Sequence, residues 1–118
     1  MLIDKLFVYG LLKMGYPNYS LVEPYIITEI DAYTIGSLYK LSKTNQPAYI
    51  KDGNYKIYGK LYYLLNTKKL FPVLDYIEQG FERELTSVYA KGEEHIAWIY
   101  VYRLDLKDAI LIENGVWE

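Results

Sequence analysis

Short β-prone apolar runs, broken by turn residues, dominate the hydrophobic pattern of this chain. Leu6–Tyr9 is one such run. Tyr25–Leu41 predicts one or two strands, carrying Ile26, Ile27, Ile30, Tyr33 and Ile35 ahead of Gly36. Ala48–Ile50 and Tyr55–Leu65 flank Lys51-Asp52-Gly53-Asn54, and an Asp-Gly pair between two such runs predicts a hairpin. Glu82–Ala90 and His95–Leu104 flank a second expected hairpin centred on Gly92. The stretch AWIYVY, Ala97–Tyr102, is apolar at every position, so both of its faces must be covered. That predicts a central strand or a barrel wall.

One segment changes period. In NTKKLFPVLDYIEQG, Asn66–Gly80, Leu70, Leu74 and Ile77 recur at helical spacing. Asn66 or Thr67 can cap its start and Gly80 can stop its end. Pro72 lacks an N–H and suits only a first turn, so the regular helix can begin as late as Phe71. A shorter helical turn around Tyr19–Glu23, ending before Pro24, is also expected. Together these elements predict an α+β fold: a small, curved, mostly antiparallel β-barrel with one main α-helix. Closing the sheet would also remove its edges. The 118 residues read as one domain, 1–118, which on folding takes roughly two-thirds of its surface out of water.

Charge narrows the function. Thirteen basic against 15 acidic residues leave a formal net charge of −2. The lysines are scattered (Lys13, Lys40, Lys43, Lys51, Lys68, Lys69), whereas nucleic-acid binding needs a clustered positive face. No apolar stretch approaches the roughly 20 residues that span a bilayer, and no signal-peptide pattern opens the chain. The expectation is a cytoplasmic protein without nucleic-acid or membrane partners; its oligomeric state is not legible.

Missing residues narrow it further. With no cysteine there is no disulfide, no thiolate nucleophile and no Cys-ligated zinc. The single histidine, His95, cannot by itself build a His-rich metal site. An enzyme with this inventory moves protons on carboxylates, with tyrosines assisting. The 15 tyrosines suit half-buried strand positions better than a tyrosine-lined cavity.

Among the carboxylates, Glu78 stands out. It falls in or beside the last turn of the helix, where backbone carbonyls disfavour an anion. Burial beside Leu74 and Ile77 would raise its pKa further, as a general base near neutral pH requires. The competing reading is an ordinary exposed glutamate at a helix end. Asp75 is expected to be structural, paired with Lys68 or Lys69. Glu82 and Glu84 share one strand face with Arg83 on the other, and Glu93 and Glu94 belong to a turn. Gly10 and Gly15 can simply end a strand and open a turn. Alternatively, a strand running into Gly10-Leu11-Leu12 exposes consecutive backbone N–H groups, which can hold a carboxylate.

Taken together, these pieces resemble the γ-glutamylcyclotransferase-like proteins. FVYGLL, Phe7–Leu12, is similar to that family's strand-loop signature Y-G-(S/T)-L, and LDYIEQG, Leu74–Gly80, to its L-D-x-x-E-G segment. GSLYKL, Gly36–Leu41, and YGKLYYL, Tyr58–Leu64, match its recurring G-x-L-Y strand pattern. AWIYVY followed by LIENGVW, Leu111–Trp117, resembles the late strand and closing Gly-x-Trp of the small bacterial and archaeal members. The resemblance implies a barrel with a cavity between the Y-G-x-L loop and the Glu-bearing helix. It implies cofactor-independent, intramolecular release of 5-oxoproline from a small-molecule γ-glutamyl substrate, or a related γ-glutamyl cleavage. Glu78 would be the acid/base, and Tyr9, Gly10, Leu11 and Leu12 the loop that binds the substrate α-carboxylate. Leu11 stands where the family carries a hydroxyl residue, and Gln79 separates the glutamate from the glycine. Two alternatives remain at this point: a non-catalytic domain binding a small amino-acid-like ligand in the same cavity, and a barrel serving only protein contacts.

Overall fold

The strands close on themselves. The computed structural model describes residues 3–118; Met1 and Leu2, part of the expected domain, lie outside the described residues. Among these described residues six strands follow in chain order: β1 (Lys5–Val8), β2 (Ile26–Lys40), β3 (Pro47–Leu64), β4 (Phe81–Ala90), β5 (Glu93–Tyr102) and β6 (Ile110–Leu111). Their order is β3-β1-β5-β4-β2-β6, and β3 also pairs with β2, which closes β3, β1, β5, β4 and β2 into a ring with β6 added alongside the end of β2. Among the described residues only β1 and β5 pair in parallel, at Leu6↔Trp98. The expected small, mostly antiparallel barrel is therefore what forms. A short helix, α1 (Tyr19–Val22), and a 3₁₀ turn (Glu23–Tyr25) lead into β2. The main helix, α2 (Thr67–Ile77), connects β3 to β4.

Two hydrophobic clusters explain the double-sided strands. Phe7, Tyr9, Tyr49, Ile57, Ile99 and Val101 belong to the cluster that fills the barrel. Leu6, Val8 and Tyr100 face the other way and pack with Leu70, Phe71 and Leu74 of α2. Successive residues on β1 and β5 thus bury opposite faces, which is why AWIYVY has no polar position. β5 sits between β1 and β4, the central place its composition predicts.

Two local expectations are corrected. The Asp52-Gly53 hairpin does not form: β3 continues through it, because the residues on both sides pair with the same partner strand. Ile50 lies opposite Ser37 and Tyr55 opposite Gly36, so residues 51–54 are a bulge in one strand. Ser37 Oγ donates to Asp52 O at 2.8 Å and ties the bulge down. The second hairpin does form, with Ala90 opposite Glu93 across Lys91-Gly92.

The helix also begins earlier than Pro72 suggested. It starts at Thr67, placing the proline in its interior. Lys69 N and Leu70 N both bond Asn66 O, closing the first turn before the proline is reached. Pro72 and Lys68 are exposed, so water can satisfy the Lys68 carbonyl that loses its partner. The opposite face, with Leu70, Phe71 and Leu74 buried, holds the helix. Asn66 precedes it in a left-handed conformation without a side-chain cap; Thr67 Oγ1 instead donates to Asp4 Oδ1 at 2.7 Å.

Candidate active site

β1 delivers its last residue into a loop whose polar groups are sorted by direction. The carbonyl of Gly10 accepts from Lys13 N at 2.9 Å, and that of Leu11 from Asn18 N at 2.9 Å. The Leu12 carbonyl accepts from the buried Tyr62 hydroxyl at 2.8 Å. All three acceptors are thus occupied. Among the described residues, the N–H groups of Gly10, Leu11 and Leu12 donate to no acceptor. What the loop has left to offer is donors.

Tyr9 anchors the loop from inside the barrel. Its hydroxyl donates to Tyr100 O at 2.8 Å and accepts from Tyr49 N at 3.3 Å. Burial pushes this phenol far above its ordinary value, so it is a neutral structural donor. Gly10 has a steric reason to be glycine: a Cβ there would collide with the Pro47 ring.

The helix delivers the other wall. Glu78 is its C-terminal cap, with N–H bonded to Leu74 O at 2.9 Å. Gly80, at φ +87°, turns the chain into β4 in a conformation that other residues rarely adopt. Glu78 and residues Tyr9–Leu12 line one cavity of about 110 Å³. Its carboxyl is half-buried, and burial pushes it up to about 7 from an ordinary 4.5. The shift expected from the carbonyl end of the helix is not needed; loss of water accounts for it.

Asp75, one turn earlier, behaves differently. It accepts Arg83 Nε at 3.0 Å, Arg83 Nη2 at 3.2 Å and the Tyr100 hydroxyl at 2.7 Å. It therefore does not pair with Lys68 or Lys69: those lysines sit at the start of α2, whereas β4 brings Arg83 against its end. The Arg83 guanidinium lies 4.1 Å from the Phe71 ring centroid and 4.2 Å from that of Trp98. Asp75 is committed to this network, leaving Glu78 as the one charged residue lining the cavity. Glu82 bonds Arg103 and Glu84 bonds Lys51 and Arg103, away from the cavity lining.

Sequence reasoning did not single out Asn18, Gln46, Pro47 or Tyr100, which share the cavity. Nothing local marks them, because they come from three separate segments of the chain: Asn18 before α1, Gln46 and Pro47 where β3 begins, and Tyr100 in β5. His95 stays outside, beside Lys5 and Tyr63. Among the described residues, no group of three His, Asp or Glu side chains converges as a metal site, and no helix is long and apolar enough to cross a membrane.

The chain belongs to the gamma-glutamyl cyclotransferase, AIG2-like family, whose sequence profile matches residues 6–118. Its structure is similar to that of an AIG2-like protein of Mus musculus, with a TM-score of 0.83 at 17% identity, covering 100% of this chain and 90% of that one. It is similar to YkqA of Bacillus subtilis, with a TM-score of 0.78 at 25% identity, covering 98% of this chain but only 40% of that one. A protein of Pyrococcus horikoshii superposes with a TM-score of 0.68 at 19% identity, covering 95% and 87%. A comparison with curated proteins finds no match. At these identities the structural neighbours establish the fold, and the profile establishes the family.

Proposed function

We propose that this protein releases 5-oxoproline from a γ-glutamyl compound, with Glu78 as general acid/base and the Gly10–Leu12 loop as the α-carboxylate site. One observation carries the reading. An unpaired glutamate raised to about 7 faces, across one cavity, a loop whose carbonyls are taken and whose N–H groups are not.

The chemistry fits a site without an amino-acid nucleophile. The loop N–H groups hold the substrate carboxylate, folding the γ-glutamyl chain so that its own nitrogen approaches the γ-carbonyl carbon. Such intramolecular closure supplies a large part of the acceleration. The Glu78 carboxylate takes a proton from the α-ammonium, and the freed amine forms the new C–N bond. The tetrahedral intermediate then breaks its original C–N bond as Glu78 returns a proton to the departing nitrogen. Overall the α-ammonium gives up two of its three protons and the departing amine gains two, so the carboxylate works twice. A base near 7 is matched to both halves of this task.

A panel of γ-glutamyl amines, amino acids and peptides, with 5-oxoproline and free amine quantified together, tests the reading. Equimolar release of both from at least one compound is expected. Thermal stabilisation by these compounds with no release from any would overturn it in favour of a binding domain.

A further inference from the structure

Tyr100 is tied to both walls of the cavity. Its backbone carbonyl accepts the Tyr9 hydroxyl at 2.8 Å, on the loop side. Its own hydroxyl donates to Asp75 Oδ1 at 2.7 Å, one turn before Glu78 on the helix side. Asp75 is in turn held by both Arg83 bonds, and Arg83 packs against Phe71 of α2 and Trp98 of β5. One residue of β5 thus spans the gap between the carboxylate loop and the acid/base.

We propose that Tyr100 is a positioning residue that sets the distance between the Gly10–Leu12 loop and Glu78, acting through Tyr9 on one side and the Asp75–Arg83 pair on the other. The proposal rests on the cyclotransferase reading above. The helix ends at Ile77, so Glu78 is followed by no further helical turn, only by the tight turn in which Phe81 N donates to Glu78 O at 3.1 Å. Its placement depends on how firmly the turn containing Asp75 is fixed to the barrel. Without the tyrosine hydroxyl, Asp75 keeps Arg83 but loses its only bond to the strand between the two walls. The last turn then loosens, and water reaches Glu78.

Tyr100→Phe removes the hydroxyl and keeps the ring that packs with Leu74. The titratable groups around Glu78 are Tyr9 at the start of the loop, Tyr100 on β5, Asp75 on its own helix and Arg83 on β4. Burial and the Asp75 contact keep the Tyr100 phenol protonated at neutral pH. Its loss therefore removes no charge, and any change in Glu78 titration reports solvation.

The experiment has two arms. Carbon-13 NMR of labelled glutamate follows Glu78 titration in the wild type, Tyr100→Phe and Thr34→Val. Thr34 is a control: its buried hydroxyl donates to Ser87 O at 2.7 Å in the barrel wall and lines no part of the cavity. Steady-state kinetics follow the same proteins and Glu78→Gln on the γ-glutamyl compound released fastest by the wild type. The expected result is a Glu78 midpoint that falls by about one pH unit in Tyr100→Phe alone, with kcat about 10- to 100-fold lower and KM within about threefold, since small misplacements of reacting groups cost this much. An unchanged midpoint, or an unchanged kcat while Glu78→Gln is inactive, would overturn the proposal. Wild-type turnover by Glu78→Gln would instead sink the acid/base reading, and the proposal with it.

Discussion

Removing the Glu78 charge should stabilise the fold, increasingly as pH rises from about 4.5 to 7. The folded protein holds this carboxyl at about 7, against an ordinary value of 4.5. Because the folded-state value is the higher one, the folded chain binds the proton more tightly than the unfolded chain does. Stability from this group is complete below about pH 4.5 and is lost as pH rises toward 7. The gap corresponds to about 3 kcal/mol, at roughly 1.4 kcal/mol per pH unit. Glu78→Gln has no proton to lose. At pH 8 it should exceed the wild type by about 3 kcal/mol, or about 10 °C in melting temperature for a chain of this size. At pH 4 the two should coincide. Urea unfolding of both proteins from pH 4 to 8 reads the difference directly, because all other titrating groups are shared. Parallel curves across that range would refute the claim that burial has raised this carboxyl.

The loop predicts its own sensitivities. Tyr62→Phe leaves the buried Leu12 carbonyl without its donor; it should cost about 1–3 kcal/mol in urea unfolding and raise KM as the loop loosens. Gly10→Ala drives a Cβ into the Pro47 ring, so calorimetric titration with 5-oxoproline should show at least about tenfold weaker binding. Leu74→Ala, at a fully buried position between α2 and the barrel, should cost about 2–5 kcal/mol, measured by the same unfolding assay.

Much of the barrel was legible because its determinants are short-range. The apolar runs of β1 and β5, the Lys91-Gly92 turn and the helical spacing of Leu70 and Leu74 each declare themselves within a dozen residues. The failures share a cause: a local rule was outvoted by a distant partner. Asp52-Gly53 has hairpin chemistry, yet β2 pairs with the chain on both sides of it and turns it into a bulge. Pro72 has helix-breaking chemistry, yet the buried face of α2 outweighs one missing bond on the solvent side. Asp75 has lysines nearby in the chain, yet its partners arrive on β4 and β5. The candidate site divides in the same way. Glu78 and the Tyr9–Leu12 loop sit in recognisable segments, but Tyr62, Pro47 and Tyr100 meet them only once the barrel has closed.

The central claim is that Glu78 carries the protons of the reaction while the loop holds the substrate, and those two roles separate in a single variant. Turnover and binding of an accepted γ-glutamyl compound should be measured for the wild type and Glu78→Gln between pH 5 and 9. The wild-type rate should rise with pH through about 7 as the base ionises. In the variant, turnover should fall about 10²- to 10⁴-fold while the dissociation constant changes little, because in the proposed reading the α-carboxylate is assigned to the N–H groups of Gly10, Leu11 and Leu12 and not to Glu78. A Glu78→Gln protein that turns over at the wild-type rate would contradict the account.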